Sequence, residues 1–326
     1  MPVRVEGLSG VEQLSVGNSH QCAVLGDRSV MCWGANRMGQ LGDGTNTRRD
    51  VPTPVRGLSG VVEVSAGAAH TCARTDKGQV WCWGDGSHGQ LGDGNDGRGH
   101  RSLVPVLVKG LNGVEEVDVS GLEGVPVAAE AAFHTHRSCA RKADGSVWCW
   151  GSNWGCQLGD GSQDNRSRPV RVHGVAGAAQ VSMSATKTCI GDRQGRVTCW
   201  GFTLHKDKHR IDDKTTKWLW QCKPPRRVPG VKDAATLTSG AFHSCALGKS
   251  GTVTCWGSGA HGQLGDAVHP QTEVLAPVSI PAPTDVVHIG AGLFHNVAVT
   301  ADGQIWCWGG CGYPPRPKPV PLHTLE

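Results

Sequence analysis

Tyrosine occurs once and phenylalanine four times in these 326 residues, so most of the aromatic packing must fall to 12 tryptophans. An excess of one charge is missing too. Thirty-two Lys and Arg face 28 Asp and Glu, for a net charge of +4. That slight excess gives no reason to expect nucleic-acid binding over the whole surface. No apolar run approaches the length of a membrane span. The opening stretch MPVRVEGLSG has neither a basic n-region nor an apolar h-region, so no signal peptide is expected in it. Nothing resembles a Ser/His/Asp triad, a phosphate-binding loop or a zinc-finger spacing. Those classes of chemistry therefore have no support.

What the chain has in quantity is glycine, 47 residues, and cysteine, 14 residues. One string organises both. Cys-Trp-Gly occurs at Cys32-Trp33-Gly34, Cys82-Trp83-Gly84, Cys149-Trp150-Gly151, Cys199-Trp200-Gly201, Cys255-Trp256-Gly257 and Cys307-Trp308-Gly309. A period near 50 residues points to a propeller or a solenoid. In the second copy, Val61-Val62-Glu63-Val64-Ser65 reads as a strand and His70-Thr71-Cys72-Ala73-Arg74 as another. Asp76-Lys77-Gly78 reads as a tight turn, Gln79-Val80-Trp81-Cys82-Trp83 as a third strand, and Val104-Pro105-Val106-Leu107-Val108 as a fourth. Four short antiparallel strands per repeat make one propeller blade.

Ten cysteines form pairs ten residues apart: Cys22/Cys32, Cys72/Cys82, Cys139/Cys149, Cys189/Cys199 and Cys245/Cys255. With Lys77 at the midpoint of the hairpin, residues 72 and 82 lie opposite each other. Opposed Cα atoms are roughly 4.5 to 5.5 Å apart, and a disulfide accepts roughly 4.4 to 6.8 Å. Each bridge would close a loop of about 11 residues and contribute about 2.8 kcal/mol in the chain-entropy model. The alternative is a free, buried Cys acting as a small hydrophobe. Bridges imply an oxidising compartment: secreted, cell-surface or periplasmic. Each Trp of the string points to the opposite sheet face from its Cys, so these Trp are expected between blades as core.

The ordered motifs Gly67 to Ala73, Lys77 to Gly84 and Gly89 to Gly94, with similar strings at Gly17 to Ala23, Gly39 to Gly44 and Gly240 to Ala246, resemble the regulator of chromosome condensation repeat. The Cys spacing resembles a bacterial extracytoplasmic variant. The resemblance implies an all-β fold, a single β-propeller domain over 1–326, usually of seven blades. Six full repeats (about 2–53, 54–104, 105–168, 169–226, 227–276 and 277–326) favour six, with seven possible. Either Pro2-Val3-Arg4-Val5 or Pro319-Val320-Pro321 could complete the last blade. The family's functions are binding functions: nucleotide exchange on a small GTPase, inhibition of β-lactamases, or recognition domains.

The irregular repeats are three and four. In repeat three, Val117 to Phe133 is longer than its counterpart and reads as a protruding loop. Arg137 stands where regular repeats have His, His134 and His136 lie upstream, and Cys156 replaces a glycine. Repeat four has Lys187 at the His position and lacks the Gly-Gln-Leu-Gly loop. In its place is an insertion, 202–229, with His205, Lys206, Lys208, His209, Arg210, Trp218, Trp220 and Cys222. Basic residues interleaved with Trp make a recognition surface, although a solvated loop has the same composition. The loops Asp43-Gly44-Thr45-Asn46 and Asp93-Gly94-Asn95-Asp96-Gly97 look superficially like calcium loops, but turn chemistry accounts for them. In repeat six Val297 replaces the first Cys, and Cys311 could partner Cys307.

The expectation is a secreted or periplasmic, disulfide-stapled propeller, probing a protein or peptide with Lys206, Lys208, Arg210, Trp218, Trp220, Arg137 and Lys187. It would be a monomer without nucleic acid or cofactor. A second reading is a copper- or zinc-dependent enzyme whose ligands come from Cys156, Cys222, His205, His209, His134 and His136. A bridge between Cys156 and Cys222 is the simpler account of those two sulfurs. A third reading is a structural recognition module of a larger surface protein.

Overall fold

The computed structural model describes residues 5–121, 135–206, 218–267, 273–281, 283–312 and 315–322. Among them there is no α-helix, and no helix is long and apolar enough to cross a membrane. The strands form six antiparallel four-stranded sheets, the blades of a six-bladed β-propeller.

The chain divides into two compact units. The first, 1–154 with 158–176, holds three blades. Blade one is β1 (Val11–Val16), β2 (His20–Leu25), β3 (Val30–Gly34) and β4 (Arg49–Pro54). Blade two is β5 (Val61–Ala66), β6 (His70–Thr75), β7 (Val80–Asp85) and β8 (Arg101–Leu107). Blade three is β9 (Val114–Ser120), β10 (Arg137–Lys142), β11 (Val147–Gly151) and β12 (Arg166–Arg171).

The second unit, 155–157 with 177–326, holds the others. Blade four is β13 (Ala178–Met183), β14 (Lys187–Asp192), β15 (Val197–Lys206) and β16 (Trp218–Arg227). Blade five is β17 (Ala234–Ser239), β18 (His243–Gly248), β19 (Val253–Ser258) and β20 (Glu273–Ser279). Blade six is β21 (Val286–Ala291), β22 (His295–Thr300), β23 (Ile305–Gly309) and β24 (Arg316–Pro321). Pro319 to Pro321 therefore supplies the fourth strand of blade six, opposite Cys307 and Trp306. Residues 2–4 lie outside the described residues, as do 122–134 of the expected protruding loop.

The turn between the second and third strands sets the sulfur pairing. Thr75 N–H donates to Gln79 O at 2.9 Å, and Gly78 N–H donates to Thr75 O at 2.9 Å. Gly78 takes φ +67°, the left-handed position of a three-residue hairpin turn. Residues 75 and 79 thus form a hydrogen-bonded rung. Alternation makes 72 and 82 a non-hydrogen-bonded rung, where opposed Cα atoms come closest. All five predicted pairs are bridged there, each with Cα atoms 4.1 Å apart. That is slightly shorter than the expected window, because the covalent bridge draws an already close rung together. The other four cysteines also pair, as Cys156–Cys222 and Cys307–Cys311. In blade six Val297 opposes Cys307, as the sequence requires.

One sheet face carries the cystine and the opposite face carries the Trp. In the first unit, Cys22, Val24, Val30 and Cys32 of blade one pack with Val61, Val64, Ala73 and Trp83 of blade two. The second unit repeats the plan with Cys245, Leu247 and Val253 against Val286, Ala298 and Trp308. The Gly after each Trp is needed for backbone approach. Gly84 has φ +99°, and a Cβ there would meet Ala69 O at 2.5 Å.

Candidate binding site on blade four

Four of the repeats carry a loop that latches onto the next Trp, and blade four lacks it. In a regular repeat the carbonyl of the loop glutamine accepts two hydrogen bonds from the next blade. Gln40 O takes Trp83 Nε1–H at 2.9 Å and Thr71 Oγ1–H at 2.8 Å. Gln90 O takes Trp150 Nε1–H at 2.9 Å and Ser138 Oγ–H at 3.0 Å. In the second unit Gln157 O takes Trp200 Nε1–H at 2.9 Å and Thr188 Oγ1–H at 3.1 Å. Gln263 O takes Trp308 Nε1–H at 3.1 Å and Asn296 Nδ2–H at 2.8 Å. The adjoining leucines, Leu41, Leu91, Leu158 and Leu264, are all buried.

A histidine extends the latch. His20 Nε2 lies 2.8 Å from Thr71 Oγ1, His70 Nε2 lies 3.0 Å from Ser138 Oγ, and His243 Nε2 lies 2.8 Å from Asn296 Oδ1. Each hydroxyl already gives its proton to a Gln carbonyl, and Asn296 presents only its oxygen. The histidine must therefore donate, which fixes the neutral Nε2–H tautomer. The three Nδ1 atoms are buried without a partner. Burial lowers His20 and His243 to about 4 and pushes His70 well below the ordinary value.

Blade four has no such loop. Residues 202–206 and 218–227, expected as an irregular insertion, instead prolong the outer strands, so β15 and β16 are ten residues each. Lys206 opposes Trp218, His205 opposes Leu219 and Leu204 opposes Trp220. Lys208, His209 and Arg210 lie outside the described residues. Blade five keeps the other half of the latch. Trp256 is only 4% exposed, yet its Nε1–H finds no acceptor among the described residues. Ser244, at the hydroxyl position, turns to Ser239 Oγ at 2.9 Å instead. The core between blades four and five, with Val197, Val228 and Ala246 around Trp256, has no loop leucine among its described residues.

The hairpin is tied down by Cys156–Cys222, whose Cα atoms are 5.5 Å apart. The tie has a structural logic. Gly39, Gly89 and Gly262 all take positive φ and crowd the fourth strand of the following blade, at Ser102, Arg166 and Pro317. Cys156 holds the same left-handed position at φ +61°, and its sulfur bonds to β16 where the glycines merely touch. The loop expected to be replaced in repeat three thus keeps its shape, with Gln157 and Leu158 in their usual roles. Phe202, opposite Cys222, is buried and packs so closely on Gly155 that no side chain would fit there.

The other expected site residues divide. Lys187 is half-buried on β14. Arg137, expected to touch a partner, is fully buried, donating from Nη1 to Thr135 O at 3.3 Å, with its pKa lowered to about 9 by burial. It occupies the sequence position of the latch histidine in its own blade and is not on the surface. His136 is buried too, stacked on His88 with centroids 6.4 Å apart, and His134 lies outside the described residues. Cys156 and Cys222 bond to each other, which removes both sulfurs from the expected metal-ligand set. Among the described residues no group of three or more His, Cys, Asp or Glu could hold a metal. Asp43 and Asp93 are engaged within their own loops, by Asn36, Thr45 and Arg49 and by Asn95 and His100 respectively.

The orphaned donor makes a sharp prediction. Trp83→Phe removes a hydrogen bond and ring volume, whereas Trp256→Phe removes ring volume alone. In urea unfolding Trp83→Phe should cost about 1 kcal/mol more than Trp256→Phe. Equal costs would mean that the Trp256 indole is partnered in solution.

The regulator of chromosome condensation (RCC1) repeat matches residues 29–74, 77–121, 144–190 and 250–299. A second description of the same repeat matches 11–40, 61–90 and 235–263. The chain belongs to this repeat family. Neither description matches within 191–234, which contains the lengthened hairpin. The Arabidopsis thaliana ultraviolet-B receptor UVR8 is 27% identical over 91% of this chain and 64% of its own length. The mitochondrial RUG3 of the same plant is 31% identical over 32% of this chain, which spans 26% of it. Human HERC2, an E3 ubiquitin-protein ligase, is 28% identical over 65% of this chain, which spans 4% of it. Among solved structures, human WBSCR16 superposes with a TM-score of 0.79 at 23% identity, covering 98% of this chain and 83% of that one. Yeast RCC1 (Prp20), crystallised with Kap60, gives 0.73 at 18%, covering 96% of this chain and 74% of that one. At these identities the likeness is one of fold.

Proposed function

We propose that this RCC1-repeat propeller recognises a protein or peptide through the blade-four hairpin, in an oxidising compartment: secreted, periplasmic or at a cell surface. The observation that carries the reading is the exchange at blade four. A loop that locks blades together elsewhere is absent, and a longer, disulfide-anchored hairpin stands there. Recognition residues concentrate on loops and extensions held by a rigid scaffold. Cys222 anchors the hairpin near its base, which limits the ordering entropy lost when a partner binds. Yeast RCC1 (Prp20), which shares the fold, binds proteins: Kap60, Gsp1p and histones. Seven disulfides are the pattern of an oxidising compartment.

Trp218 and Trp220, two positions apart on β16, are the anchors in this reading, with Lys206 paired opposite Trp218 and Lys208 and Arg210 following Lys206 in sequence. Aromatic anchors carry most of the energy of such interfaces. A photo-crosslinker at Leu219 should capture the partner, and one at Val51 of blade one should not. Replacing Trp218→Ala and Trp220→Ala together should weaken capture by about a hundredfold while thermal unfolding shifts by less than about 2 °C. Undiminished capture would remove the hairpin from the interface.

A further inference from the structure

The charge of the chain is gathered on one blade. Residues 178–227, which form blade four, hold 11 Lys and Arg against four Asp and Glu, a net +7. The whole chain is only +4, so the rest is −3, and no other blade is more than two charges from neutral. Elsewhere carboxylates answer the arginines. Arg49 pairs with Asp43, Arg74 with Glu63, Arg141 with Glu115 and Glu116, and Arg166 with Asp160. Blade four has one carboxylate among its described residues, Asp192, and it is held by the Arg196 guanidinium and by the N–H groups of Gln194 and Arg196. Arg193 and Arg226 are exposed and make no ion pair among the described residues.

Arg226 departs from the pattern of the outermost strands. The residue opposite the third-strand Cys is Thr53, Val106, Val170, Val278 or Val320 in the other blades. In blade four it is Arg226, opposite Cys199. Opposed residues share a sheet face, so Arg226 lies on the face that packs on blade five, within the same unit. It is exposed with that neighbour in place, so its exposure is set inside the second unit. Arg193 joins it at the same end of the blade. The turn that carries Arg193 leads into Val197, whose carbonyl accepts Val228 N–H at 2.8 Å, next to the Thr198–Arg227 pair. Along β16, Trp220 is six positions from Arg226, a rise of about 20 Å.

We propose that the polypeptide recognised by blade four is acidic, and sets Asp or Glu side chains against Arg193 and Arg226 while it runs along β16 towards the Trp pair. The inference rests on the hairpin reading for where the partner sits, and adds its chemistry. Unanswered guanidinium groups favour carboxylates, and complementary charge fixes the register of a partner more than it adds raw affinity. A nucleic acid or an anionic polysaccharide fits the strand less well. Its backbone needs an unbroken track of cations, whereas Pro224 and Pro225 separate Lys223 from Arg226 and two Trp stand at the far end. An extended segment of about six to nine residues, apolar at one end and acidic at the other, spans the strand.

The test lets the chain choose its ligand. The probe is a displayed library of random peptides of about 12 residues, long enough to span β16, panned on the full oxidised chain with the photo-crosslinker at Leu219. Enriched peptides should be several-fold richer in Asp and Glu than the library. Raising salt to about 0.5 M should weaken them about tenfold. Arg193→Glu with Arg226→Glu should weaken them by about the same factor, whereas Arg37→Glu with Arg56→Glu in the first unit, an equal change of net charge, should leave binding within about twofold. The salt dependence reads the same claim without any substitution. No enrichment, no acidic bias, or equal binding to the Arg193→Glu, Arg226→Glu chain would overturn the proposal. So would heparin or a single-stranded DNA oligonucleotide binding more tightly than the best peptide. Peptides that crosslink at Leu219 without acidic bias would keep the hairpin and remove only this inference. Acidic peptides that need Arg226 but do not crosslink at Leu219 would support the acidic ligand and remove the hairpin.

Discussion

Fully reduced chain should fail to regain a cooperative fold. Each of the five cross-strand bridges closes a loop of about 11 residues, contributing about 2.8 kcal/mol, or about 14 kcal/mol together in the chain-entropy model. Cys156–Cys222, 66 residues apart in sequence, contributes about 4.4 kcal/mol on the same basis. A native domain has only about 5 to 15 kcal/mol of net stability. The loss therefore exceeds the margin even if the contributions are far from additive. The cystine sulfurs of the blades also lie in the cores they staple, with Cys22, Cys72, Cys139 and Cys245 buried. Reductant alone should thus act slowly, through unfolding. The measurement is refolding from guanidinium with and without reductant, followed by tryptophan fluorescence. The oxidised chain should show a cooperative return and the reduced chain none. A reduced chain that refolds with a melting temperature within about 5 °C of the oxidised one would make the bridges dispensable.

Acid should destabilise the chain well above the pH at which carboxylates titrate. His20, His70 and His243 are neutral donors in the fold, and protonation would place an N–H at an Nδ1 that has no acceptor. Burial is the principal cause of all three lowered values. Because the folded pKa lies below the unfolded value, the unfolded chain binds these protons first as pH falls. The contribution is therefore intact above about pH 6.5 and drains away between there and about pH 4. By pH 4.5 His20 and His243 should each have cost about 2 to 3 kcal/mol, with His70 acting in the same direction. Asp43, Asp93 and Asp160 titrate lower. Burial raises each, but hydrogen bonds within their turns outweigh it and hold them below the usual carboxylate value. Their share is lost only as pH falls further. Denaturant midpoints between pH 7 and 4.5 read chiefly the histidines, with His295 adding in the same direction and Glu63, raised by burial, opposing them; a midpoint constant over that range in a Glu63→Gln background would contradict the buried relay.

The difference between what could and could not be read from the residues lies in the range of the interaction. The Cys72–Cys82 pairing was legible because one local turn, centred on Lys77, sets the rung, and rungs alternate. The six sheets followed from the repeat for the same reason. Arg137 was misplaced because the departure from His was read as a surface feature, although the position is buried here as it is for His20, His70 and His243. The 202–229 stretch looked like a loop because it is basic and contains Pro224 and Pro225. Its described parts, 202–206 and 218–227, continue as strands because β16 is the outermost strand of its sheet, where proline costs no ladder hydrogen bond. The latch could not be read at all, since its acceptor is a backbone carbonyl, which no side-chain pattern reports. Its trace was the loss of Gln-Leu from repeat four while Trp256 was retained in repeat five.

The account rests on sulfur pairs that staple the blades and one that anchors the blade-four hairpin. Peptide mapping of the unreduced protein, alkylated while denatured, tests this most directly. The expected map has no alkylated cysteine and contains a peptide joining Cys156 to Cys222. Alkylation at Cys156 and Cys222, or at most of the fourteen cysteines, would contradict it.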